Sequence, residues 1–187
     1  MKTSRPNLIS QNKNILLIAL GVGLLLLVPL VAMQFTDEVD WGPLDFFAAG
    51  VLLFGTGLAF ELITRRARSL LFRLAVAASL GTALLLVWSN LAVGIIGAET
   101  NPANLMYFGV LAVFILGMLI ARFRPQAMAR AVIATALAQL VVTLIALFTE
   151  QNLDVFKLLA ANGFFLVLWV GSAWLLQRAG AAGLKAA

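Results

Sequence analysis

Six runs of predominantly apolar residues, joined by short polar turns, dominate this sequence and leave few folds open to it. They cover residues 15–34, 44–64, 70–94, 103–121, 131–149 and 153–177. About 20 residues of helix cross the ~30 Å of hydrocarbon in a bilayer, so each run predicts one span. Helices are the economical way through lipid, because every backbone N–H and C=O finds its partner within the segment. The expected fold class is therefore all-α: a polytopic membrane protein with a bundle of six transmembrane helices. The turns leave no room for a soluble module, so residues 1–187 are read as a single membrane domain. Composition agrees: 63% of residues are hydrophobic and 11% charged, against about 25% charged in a soluble domain.

Charge placement orients the spans. The N-terminal tail holds Lys2, Arg5 and Lys13, and the turn after the second span holds Arg65, Arg66, Arg68 and Arg73. The turn after the fourth has Arg122, Arg124 and Arg130, and the C-terminal tail Arg178 and Lys185. Twelve of the 13 Lys and Arg thus fall on one side, with Lys157 alone on the other. The positive-inside rule then puts both termini in the cytoplasm. Seven of the eight acids lie on the opposite side, Glu61 being the exception. The net charge of +5 is accordingly a record of topology, and no nucleic-acid partner is expected. The first apolar run is too long for a secretory signal and lacks a clean cleavage site, so it reads as a retained span, with Pro29 as a kink.

The side-chain inventory excludes much chemistry. With no cysteine and no histidine, disulfides, thiolate metal sites and imidazole haem ligation are ruled out, and the usual general base at neutral pH is missing. Catalysis generally needs a positioned base, nucleophile or metal, so no enzyme activity, metal site or cofactor is expected. The acids of the outer side, Asp37, Glu38, Asp40, Asp45, Glu99, Glu150 and Asp154, lack calcium-loop spacing. They suit helix N-termini, whose dipoles favour negative charge.

Four polar residues inside the runs are the candidates for a function within the membrane. Glu61, near the inner end of the second span, is either a proton or cation relay or the i,i+4 partner of Arg65. The pairing is preferred, because Glu61 lies within a turn of the interface. Gln139 continues a stripe of Ala131, Thr135 and Thr143 on the fifth span. Asn90 follows Ala75, Ser79, Thr82 and Ala83 on the third, and Asn162 adjoins Gly163 on the sixth. These amides either line a polar path or bond across helix interfaces, at roughly 1 kcal/mol apiece. The second reading is preferred. Trp41, Trp88, Trp174 and Tyr107 read as interface anchors. Trp169 falls mid-span. Gly21, Gly23, Gly55, Gly57, Gly109 and Gly117 would permit close helix approach.

The turn from Trp88 to Tyr107 is the most polar interruption of the apolar pattern. Asn101 and Pro102 suit the N-cap and first residue of the fourth helix. The segment Gly94-Ile95-Ile96-Gly97 would end the third span early or break it, bringing Asn90, Glu99 and Asn104 together. Glu99 and Asn104 are the candidate residues for a site outside the membrane.

This turn, Asn90-Leu-Ala-Val-Gly-Ile-Ile-Gly97 followed by Glu99 and Asn101-Pro-Ala-Asn-Leu-Met-Tyr107, resembles a signature of small bacterial inner-membrane proteins of no known activity. Ala121-Arg-Phe-Arg-Pro125 fits the same pattern. The resemblance implies a bacterial inner-membrane location and carries no mechanism. The expected role is a structural, accessory or assembly subunit, with the lipid bilayer and either a protein partner or a second copy as its partners. The alternative is a small transporter or channel that passes a proton, small cation or polar solute along Glu61, Asn90, Gln139 and Asn162.

Overall fold

A computed structural model describes residues 8–36, 38–67, 69–150 and 154–185, and among them all regular structure is helical. The helices are α1 (Leu8–Ala32), α2 (Pro43–Thr64), α3 (Leu70–Ala92), α4 (Met106–Ile120), α5 (Pro125–Thr149) and α6 (Val155–Lys185). A single 3-10 turn, Pro102–Leu105, leads into α4. All six helical segments are long and apolar enough to cross a membrane, consistent with a multi-pass membrane protein. Lys2, Arg5, Asp37 and Arg68 lie outside the described residues.

Helix limits depart from the apolar runs where hydropathy and helix propensity diverge. Helix α3 stops at Ala92, because Gly94 turns to φ +74°. Helix α5 starts six residues before its apolar run. Pro125 presets the first helical φ, and Gln126, Ala127, Met128 and Ala129 are good helix formers of mixed polarity. Hydropathy marks where that helix becomes greasy, not where it begins. Helix α6 runs on to Lys185 through an alanine-rich tail for the same reason. Between α4 and α5 the chain reverses within Ala121–Arg124, with Arg122 at φ 47° and Phe123 at φ 59°. Two successive left-handed non-glycine residues cost about 1–2 kcal/mol each. Hydrogen bonds from Arg122 N–H to Leu119 O and from Arg124 N–H to Ala121 O hold the reversal.

The chain divides into two units, Met1–Leu62 and Ile63–Ala187. In the first, α1 approaches α2 closely at Gly57, where an added Cβ would lie 2.7 Å from Ile18 Cγ2. At Gly50 the corresponding contact, to Leu26, is 3.6 Å. The described part of α1 exposes Leu16, Leu17, Leu20, Leu24 and Leu25. A helix apolar on all sides belongs in lipid or a large core.

The second unit is a four-helix bundle. Helix α5 packs between α4 and α6, and α3 lies against α6. Its interior combines large apolar side chains such as Leu86, Phe114, Leu158 and Trp169 with small and polar residues. On α5 these are Ala131, Thr135, Ala136, Gln139, Thr143 and Ala146, all buried. Large apolar side chains such as Leu116, Ile120, Phe148, Phe156 and Val167 point outward. That distribution is what lipid selects, since a Leu gains little by leaving hydrocarbon while small residues let backbones approach. Approach is close where Gly117 of α4 meets α5, because a Cβ there would sit 2.8 Å from Ala131 Cβ. Gly21, Gly23, Gly55 and Gly109 face no atom within 4 Å, so they set no close helix approach.

A paired substitution separates the two classes of glycine. Gly117→Val should destabilise the protein by about 1–3 kcal/mol through overpacking. Gly109→Ala should be neutral or stabilising by up to about 1 kcal/mol through helix propensity. Thermal unfolding of both variants in one detergent reads the contrast.

Candidate functional site

Asn162 and Trp169 stand seven residues apart on α6, two turns along one face. Gln139 of α5 inserts between them. Its amide nitrogen donates to Asn162 Oδ1 at 3.1 Å, and its carbonyl oxygen accepts from the Trp169 indole N–H at 2.8 Å. The Tyr107 hydroxyl of α4 donates to the same Asn162 oxygen at 2.9 Å. Asn162 is held for this double acceptance by its own Nδ2, which donates to Leu158 O at 3.0 Å one turn back. All four side chains are fully buried, at 0–1% exposure. Three helices are thereby joined through two amide oxygens.

The neighbouring hydroxyls do not compete for these amides. Thr135 and Thr143 donate to the carbonyls of Ala131 and Gln139 on their own helix, each at 2.9 Å. Trp169 also packs against Phe114, with ring centroids 5.2 Å apart. Burial of Tyr107 runs against its expected place at the interface. It is the only tyrosine in the chain, and a phenol enters an apolar core readily when its hydroxyl finds a partner there. The pairing of Tyr107 and Trp169 with the amides left no signal in spacing, because 55 residues separate Tyr107 from Asn162.

A second polar cluster builds the α3–α4 turn. Asn104 Oδ1 accepts from Ile95 N–H at 3.0 Å and Ile96 N–H at 2.9 Å. Its Nδ2 donates to Ile96 O at 3.3 Å and Ala98 O at 2.8 Å. One side-chain amide thus uses two acceptor and two donor positions to clamp residues 95–98, a strand-like partner supplied by a side chain. Gly94 is required beneath the clamp: a Cβ there would come within 2.7 Å of the Ala98 and Glu99 backbone. Asn90 Nδ2 donates to Asn104 O at 3.2 Å, tying the turn to α3. Asn101 caps the 3-10 turn through Ala103 N–H at 2.8 Å and donates to Glu150 Oε2 at 3.1 Å, tying it to the end of α5.

The sequence candidates therefore occupy separate places. Gln139 and Asn162 bond directly to each other. Asn90 and Asn104 meet in the turn, while Glu99 is exposed on it. Glu61 belongs to the first unit, where its Oε1 accepts from Asn14 Nδ2 at 2.8 Å. At the start of α6, Asp154 Oδ1 accepts from Lys157 N–H at 3.1 Å. That backbone bond, with help from the Lys157 ammonium, holds the Asp154 carboxyl below its ordinary value. Among the described residues no three acidic side chains stand close enough to hold a metal ion. Comparisons with protein-family models, with curated proteins and with solved structures gave no match.

The geometry of the amides sets the expected effect of three substitutions. Tyr107→Phe should cost about 1 kcal/mol, since Asn162 Oδ1 keeps its second donor. Gln139→Leu should cost about 1–3 kcal/mol, because it strands both the Trp169 indole and one face of Asn162. Unfolding in detergent that ranks them the other way would refute this assignment of roles. Asn104→Ala should release the α3–α4 turn while leaving the bundle folded. Hydrogen exchange at the Ile95 and Ile96 amides should rise by roughly tenfold or more for each ~1.4 kcal/mol of bonding lost.

Proposed function

We propose that this chain is a structural or accessory subunit of a bacterial inner-membrane assembly, acting by association with a protein partner or with its own kind. The observation that carries the reading is the mutual satisfaction of Tyr107, Gln139, Asn162 and Trp169. A solute path needs polar groups that can exchange partners with the solute. Here both amide oxygens are already engaged, and the indole and the phenol are turned toward them. The polar interior serves cohesion. Absent cysteine and histidine, together with small turns, accord with a role that needs no chemistry of its own.

In this reading both termini and the arginine-rich ends of α2 and α4 face the cytoplasm, as the charge asymmetry favours. The α3–α4 turn, clamped by Asn104, then faces away from it. The lipid bilayer is the solvent of all six spans, and the proposal includes no cofactor and no nucleic acid.

The test is a pair of measurements on the full chain. Native mass spectrometry after mild extraction should find the protein in an assembly larger than one chain. In proteoliposomes, fluxes of protons, potassium ions and a small polar solute should stay at the level of empty vesicles. A purely monomeric species with a flux that falls in Gln139→Leu or Glu61→Gln would instead establish the transport alternative.

A further inference from the structure

A cleft of about 640 Å³ opens in the four-helix unit beside the α3–α4 turn. One wall runs from Asp154 along α6 to Phe165, and the other is formed by Ser89, Val93, Ile95 and the turn glycines Gly94 and Gly97. The two glycines contribute no side chains, which leaves Val93 and Ile95 as the apolar side chains on that wall. The two ends of the cleft differ in chemistry. At the start of α6 the lining is charged, with Lys157 Nζ 3.4 Å from Asp154 Oδ2. Farther along come Leu158, Ala161, Phe164 and Phe165, the last two with rings in edge contact at 5.4 Å. From Asp154 to Phe165 the helix rises about 16 Å, close to half the ~30 Å hydrocarbon thickness of a bilayer. On the membrane reading this length matches one leaflet, with the charged end at headgroup level and the apolar part below.

We infer that this cleft binds a zwitterionic phospholipid with a primary ammonium headgroup, its acyl chain lying along Ala161, Phe164 and Phe165. The charge pattern selects the head. The mouth carries one anion and one cation, so it is neutral overall, and a headgroup with one phosphate and one ammonium matches both. The phosphate takes Lys157 and the ammonium takes Asp154. Opening the existing pair costs little, because its side chains are 83% and 51% exposed, and exposed ion pairs are weak. An anionic head without an ammonium would leave Asp154 facing like charge. A quaternary ammonium would offer Asp154 no hydrogen-bond donor. The backbone bond from Lys157 N–H favours the charged form of Asp154, lowering its pKa from the ordinary carboxylate value.

The inference rests on the membrane reading above, although not on the accessory role. The experiment uses the full chain, reconstituted in turn with phosphatidylethanolamine, phosphatidylcholine and phosphatidylglycerol of identical acyl chains, then extracted for native mass spectrometry. One phosphatidylethanolamine should be retained in preference to the other two, by about tenfold, the worth of one charge-assisted hydrogen bond. Lys157→Ala, a change at an exposed side chain, should lower retention of phosphatidylethanolamine by removing the phosphate contact, without altering thermal unfolding. Ala161→Phe should displace the lipid by filling the apolar part of the cleft. Equal retention of the three lipids, or unchanged retention in both variants, would overturn the inference. Failure of the protein to enter vesicles at all would instead refute its place in the membrane, so the two readings fail separately.

Discussion

The amide of Gln139 is the point on which the larger unit depends. In water, four helices would be driven together by their apolar faces. In hydrocarbon that drive is gone, since a leucine is as well solvated by lipid tails as by another helix. What remains is close packing and hydrogen bonding between helices. Gln139 supplies the second by reaching Asn162 and, through its carbonyl oxygen, Trp169. Tyr107 joins the same oxygen of Asn162, so α4, α5 and α6 share one bonded centre. The first contribution comes from the small residues that flank it, above all Gly117 against Ala131.

The α3–α4 turn solves a different problem with the same residue type. Where α3 ends, backbone groups would face a largely apolar surrounding with no helix to satisfy them. Asn104 substitutes for the missing ladder by offering two donors and two acceptors to residues 95–98. Gly94 and Gly97, both at positive φ, let the chain fold tightly enough to receive it. Asn90 and Asn101 then fasten the turn to α3 and α5. The same fold of the chain leaves the charged mouth of the neighbouring cleft open beside α6.

Much of the architecture was legible in the sequence, and the reasons are physical. Apolar runs of span length read directly as helices, because lipid permits almost nothing else. Asn101 and Pro102 read as a helix start, and the structure adds that this start is a 3-10 turn. The buried contacts were harder to read. Gln139 and Asn162 stood out as polar residues in greasy helices, but their mutual partnership depends on which helices are neighbours. Tyr107 reads as an interface aromatic and Trp169 as a mid-span residue facing either lipid or the interior, and both are fully buried. The early start of α5 escaped for a simpler reason. Residues 125–130 are helical by propensity and backbone geometry, while Gln126 and Arg130 interrupt the apolar run there. Glycine pairs were a poor guide as well, since most of those with suggestive spacing face open space.

Whether the bundle interior is a sealed contact or a wet path comes down to the Trp169 indole N–H. Its exchange with solvent can be followed by NMR on indole-labelled protein in bilayer nanodiscs moved into D2O, with Trp169→Phe assigning the resonance. Bonded to Gln139 in a closed interface, the proton should persist for hours and become labile in Gln139→Leu. Exchange within the first spectrum of the unaltered protein would mean that water reaches Gln139, and the reading of this bundle as a cohesive, closed contact would be wrong.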